Sequence, residues 1–123
     1  MINRLPFILT LTSMFLGVLM AIFFGINENY FKDKISSALK LSQTYLAFEN
    51  PDEQKKFFKK EKDKNWRYYQ RFHFHSTGIS AMTLGLLILL SFSMAPKKII
   101  NFSKYLLSIS GLLYPFFWLF AAE

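Results

Sequence analysis

The sequence predicts an all-α integral membrane protein with three transmembrane helices, an amphipathic interfacial helix and a long basic helix that continues into the second span. Three observations predict it. Residues 5–26, 76–95 and 105–122 carry no formal charge and are almost wholly apolar. About 20 apolar residues, each rising 1.5 Å, cross a hydrocarbon core, so each run is close to spanning length. The charge lies elsewhere: the net is +7, and residues 52–71 hold eight Lys or Arg against four acids. Finally, a bilayer offers no water to unpaired backbone groups, and three spans cannot close a barrel, so the spans are helices. The whole chain, residues 1–123, reads as a single membrane domain.

The first span covers about 5–26. Its apolar run of 22 residues exceeds a signal-peptide core, and no small-residue cleavage site follows it, so it reads as a retained span. Ser13, Gly17, Ala21 and Gly25 recur every fourth residue along one stripe. Small residues so spaced let a second backbone approach closely in lipid, where packing replaces the hydrophobic effect. A polar, basic loop at 27–75 follows, expected to hold helices at about 30–48 and 51–75. At 100° per residue, Phe31, Ile35, Leu39, Tyr45 and Phe48 fall on the apolar half of the first of these, with Tyr30, Ala38, Leu41 and Leu46. It is too polar to cross the membrane and is expected to lie at the interface or on the spans.

Asn50-Pro51-Asp52-Glu53 is a helix start: a capping Asn, Pro in the first turn and two acids at the positive end of the dipole. Gly first returns at Gly78 and Pro at Pro96, so one helix runs from Pro51 into the second span at 76–95. That span has a small stripe of its own at Thr77, Ala81 and Gly85. The break around Pro96 is short, which predicts an antiparallel hairpin with a third span at 99–122. Lys104 is expected to snorkel towards the headgroups, and Pro115 to kink the helix beyond Gly111. Hydroxyls within the spans, such as Thr10 and Ser108, are expected to bond carbonyls one turn back.

The densest polar chemistry lies at the mouth of the second span, from Trp66 to His75. His73 and His75 are the two histidines of the chain and the candidate ligands for a haem or a metal. Two helical residues apart, they point about 200° from one another, so one ion cannot take both. There is no cysteine, which removes disulfides, thiolate metal sites and Cys nucleophiles. No metal site is expected, and most simply no cofactor. Arg67, Arg71 and His75 share a helix face, and Glu28 ends the first span on the same side. These four form a candidate polar cluster, with Glu28 expected to pair with Arg71 and His75 to join them. Interfacial anchoring by Trp, Tyr and Arg is the simpler role for the same residues.

The loop between the first two spans carries 11 Lys and Arg, against four on the other side, which favours a cytoplasmic loop. The expected partners are the bilayer with its anionic headgroups, and a second copy or a larger membrane complex. Nothing resembles a nucleic-acid reader. No Ser-His-acid set, phosphate loop or carboxylate pair is present, which argues against an enzyme. The chain therefore reads as a small polytopic membrane protein, most simply a packing or complex-forming subunit. A redox protein using His73 or His75, and a small transporter or channel subunit lined by Ser and Thr, are the alternatives.

Overall fold

A computed structural model describes residues 4–122. It is an all-α bundle of three long helices and one short one: α1 (Leu5–Leu41), α2 (Gln43–Leu46), α3 (Pro51–Ser91) and α4 (Lys97–Phe120). The three long helices pack against one another in pairs. Neighbours are antiparallel. Contacts between α1 and α3 run from Ser13–Ser76 to Phe24–Trp66, and those between α3 and α4 from Lys104–Ser91 to Tyr68–Trp118.

Each boundary has a local cause. α1 is two helical segments joined at Asn27, whose backbone leaves the helical region at φ −150°, ψ 69°. Asn27 Oδ1 accepts the Tyr30 amide at 3.1 Å and so caps the second segment. The amphipathic helix expected at 30–48 is thus the second half of α1, ended at Ser42, plus the single turn of α2. Ser42 is extended and caps α2 through the Tyr45 amide. The expected apolar face is only partly used: Ile35 is buried and Phe31 and Leu39 half-buried, while Tyr30, Leu41 and Leu46 are exposed. Tyr45 and Phe48 stack on Phe58 and Phe57, fastening α2 to the start of α3.

α3 is one helix of 41 residues, capped by Asn50 Oδ1 on the Asp52 amide at 2.9 Å. It stops at Ser91, four residues short of the expected end. α4 continues through Pro115, which is buried.

Buried positions on the three long helices recur every three or four residues: Pro6, Thr10, Ser13 and Gly17; Tyr69, Phe72, Ser76, Ser80, Thr83 and Leu87; Lys104, Ser108, Gly111 and Pro115. This spacing keeps one seam of each helix facing its neighbours. Most of these positions are small or hydroxylated residues; Phe72, Leu87 and Lys104 are the large exceptions. A separate aromatic core closes the end of the bundle near the α1 kink. There Ile35, Tyr69 and Ala122 are buried among Phe24, Phe31, Trp66 and Leu119.

α1 and α3 contain 18-residue stretches of mean hydropathy 2.4 and 1.5, and are long and apolar enough to cross a membrane. α4 falls short of that measure, so two of the three expected spans are matched by helices of spanning length and hydropathy. Lys97, Lys98, Asn101 and Lys104 open α4, and Ser108, Ser110, Tyr114, Pro115 and Trp118 dilute the rest.

Candidate functional site

Halfway along the bundle the three long helices meet at a polar junction. Its origin is Pro115. Proline has no amide hydrogen, so the carbonyl four residues earlier, that of Gly111, loses its helical donor. Ser13 Oγ of α1 donates to this carbonyl at 3.3 Å. Ser76 Oγ of α3 donates to the Ser13 carbonyl at 2.5 Å and lies 3.3 Å from Ser13 Oγ. One turn on, His73 Nδ1 lies 2.8 Å from the Gly17 carbonyl. A carbonyl only accepts, so Nδ1 carries the hydrogen and holds the ring against α1. Three side chains, those of Ser13, Ser76 and His73, thus tie α1 to both neighbours through main-chain carbonyls.

Small residues make the approach possible. A Cβ at Gly17 would sit 2.8 Å from Thr77 Cγ2, 2.9 Å from Ser76 Cβ and 3.0 Å from the Thr77 amide nitrogen. A Cβ at Gly111 would meet Thr83 Oγ1 at 3.2 Å. No described glycine has a left-handed backbone, so Gly17 serves by its size alone. Thr10, Thr77, Ser91, Ser108 and Ser110 bond carbonyls four residues back. Ser80 Oγ and Trp118 Nε1 are buried without a hydrogen-bond partner among the described residues.

The junction does not use the second expected stripe. Thr77 is half-buried against Gly17, but Ala81 and Gly85 are exposed, and a Cβ on Gly85 would meet only open space. The inward face of α3 runs through Ser76, Ser80 and Thr83; Ser76 and Ser80 each precede a residue of the expected stripe by one position, about 100° round the helix. On α1, Ser13 and Gly17 are buried and Ala21 is half-buried, whereas a Cβ on Gly25 would meet nothing within 4 Å, and the contact with α3 at that level is made by Phe24 on Trp66. Sequence reasoning missed Ser76, Ser80 and Thr83. The available signal was a proline inside an apolar run, whose orphaned carbonyl calls for a hydroxyl on a neighbouring helix.

The residues expected at the mouth of a second span divide differently from expectation. Glu28 pairs with Lys32 at 2.5 Å, one turn along its own helix. The Arg71 guanidinium lies 4.5 Å from the centre of the Trp118 ring and 5.7 Å from that of Tyr68. The docking contact foreseen between Glu28 and Arg71 is therefore replaced by a local ion pair and by stacking on α4. Both Glu28 and Lys32 follow the break at Asn27, so they lie one turn apart on the same regular segment, and Lys32 Nζ is 5.3 Å from the centre of the Trp66 ring. His75 stacks on Tyr114 and Trp118, with centroids 5.3 and 5.6 Å away. Arg67 is exposed. The two histidines face different helices, and no three His, Cys, Asp or Glu of the described residues are grouped to hold a metal.

At the other end of the bundle Lys104 is buried rather than snorkelling outward. Its Nζ donates to Ser91 Oγ at 2.7 Å and lies 5.9 Å from the centre of the Phe7 ring. Comparison with protein-family models, curated proteins and solved structures finds no match to this chain.

Proposed function

We propose that this chain is a multi-pass membrane protein in which α1, the second half of α3 and α4 all span, and that its role is structural: a packing subunit rather than an enzyme. One observation carries the reading, the inverted distribution of side chains. Ser13, Ser76 and Ser108 are at most 1% exposed, while Phe15, Leu89 and Phe117 are 60–69% exposed. In water such a bundle would hide its hydroxyls and present its bulk apolar surface to solvent, far beyond the patch a soluble protein tolerates. In lipid the same arrangement satisfies polar groups inside and matches the acyl chains outside. α4 shares the pattern: Phe102, Leu106, Ile109, Leu113 and Phe117 all face outward. This supports a third span despite its modest hydropathy. A helix of 41 residues is about 60 Å long, twice a hydrocarbon core, so the basic first half of α3 stands outside the bilayer. Its charge supports a cytoplasmic loop.

The test uses the absence of native cysteine, which makes every introduced thiol a unique reporter. Single substitutions Lys60→Cys, Lys97→Cys and Ile109→Cys are challenged with a membrane-impermeant maleimide in intact cells and after lysis. Ile109→Cys should resist labelling in both, Lys97→Cys should label in intact cells, and Lys60→Cys only after lysis. Labelling of Ile109→Cys as fast as Lys60→Cys would overturn the third span. Release of the parent protein by alkaline carbonate would overturn the membrane reading altogether.

A further inference from the structure

A groove of about 550 Å³ runs along the outer surface between α3 and α4. Its walls are Ile79, Met82 and Leu86 on one side and Leu107 and Tyr114 on the other, over a floor at Gly111. It exists because Gly111 and Thr83 are small where the two helices meet. At its loop-side end His75 stacks on Tyr114 and Trp118, and Arg71, one turn further, lies over Trp118.

Building on the membrane reading above, we infer that this groove holds one acyl chain of an anionic phospholipid, whose phosphate is bound by Arg71. Length supports the chain. From His75 to Leu86 the helix rises about 16 Å, roughly one leaflet of a 30 Å hydrocarbon core. Charge supports the headgroup. Arg67 and Arg71 lie one turn apart on the exposed side of α3, and no acid occurs in α3 beyond Asp63 or in residues 97–122. Neither arginine forms an ion pair with a carboxylate of the described residues. The Arg71 guanidinium lies over the Trp118 ring and the residue is exposed, so a phosphate can approach its N–H groups, whose fork suits bidentate contact. Tyr68, Tyr114 and Trp118 mark this level as the headgroup interface, where such rings prefer to sit. A second copy is a poorer occupant, because it would bring another net charge of +7 towards this basic end.

Trp118 is the reporter. Trp66→Phe leaves it as the single tryptophan. The variant is reconstituted in phosphatidylcholine vesicles containing a minor fraction of lipid brominated near the carbonyl end of its chains, either phosphatidylglycerol or phosphatidylcholine. Brominated phosphatidylglycerol should quench Trp118 at an apparent local concentration about fivefold higher, the enrichment expected of one interfacial basic residue. Arg71→Gln should abolish that preference, and Lys60→Gln should keep it. Should Trp66→Phe fail to fold, the parent gives the same comparison, and native mass spectrometry should show an anionic lipid that Arg71→Gln loses. Equal quenching by both lipids overturns this inference and leaves the membrane reading standing. No quenching by either overturns the membrane reading itself. A detergent-stable dimer disrupted by Met82→Trp, without lipid preference, assigns the groove to a second copy and overturns the inference.

Discussion

Gly17→Ala adds one methyl group at the tightest point between α1 and α3. The new Cβ would fall within 3.0 Å of a side-chain methyl, a Cβ and a backbone nitrogen. The backbone atom cannot rotate away, so the helices must part. Overpacking of this kind costs about 1–3 kcal/mol. Separation also stretches the bonds from His73 to the Gly17 carbonyl and from Ser76 to the Ser13 carbonyl. Interhelical hydrogen bonds in membranes average about 0.6 kcal/mol each. Against this, alanine is the better helix former by about 1 kcal/mol. The net expectation is a loss of about 1–3 kcal/mol. Gly25→Ala and Gly85→Ala meet open space, so they should keep only the helix-propensity gain. The assay is equilibrium unfolding of the three variants in bicelles, followed by tryptophan fluorescence. A Gly17→Ala variant as stable as the parent, or three variants with equal effects, would refute the close-packed junction.

Ser80→Ala should be neutral or stabilising because it removes a buried hydroxyl without a partner, whereas Ser76→Ala should cost about 1 kcal/mol in the same unfolding measurement. Ser13→Ala should cost less in a Pro115→Ala background than in the parent, since alanine restores the helical donor to the Gly111 carbonyl; strict additivity in the double-mutant cycle would contradict the role given to Ser13. Glu28→Gln removes an exposed ion pair with Lys32 and should cost no more than about 1 kcal/mol; a larger loss would mean that Glu28 has a buried partner. Asn27→Ala removes a helix cap and should cost about 1 kcal/mol, with amide exchange accelerating first at residues 28–30.

Much of the architecture was legible because its causes are local. Asn50, Pro51 and two acids start α3 wherever that helix goes, and the following 40 residues contain no proline. The kink near Asn27 follows from a short polar side chain where the apolar run ends. The face each helix would bury was less legible. In a soluble helix the apolar stripe marks the inside, but along 5–26 and 76–95 nearly every residue is apolar, so spacing alone does not fix which face of α3 is buried. The small residues expected to pack were Thr77, Ala81 and Gly85, whereas Ser76, Ser80 and Thr83 are the ones buried.

Ionic contacts escaped for a related reason. Glu28 and Arg71 end neighbouring apolar runs on one side, yet a long-range pair depends on the angle at which the chain leaves the bundle. After the Asn27 kink, Lys32 is four residues from Glu28 on a regular helix, and Arg71 is turned towards Trp118 by the rotation of α3. Sequence alone determined the helical class, the long apolar runs and the basic segment between them, because hydropathy, capping and the need to satisfy backbone groups act within a few residues of one another. Only the tertiary structure decided that the Gly111 carbonyl freed by Pro115 meets Ser13, that Lys104 turns inward to Ser91, and that Arg71 stacks on α4, because those choices depend on helix rotation and crossing, which residues far apart in the chain set together.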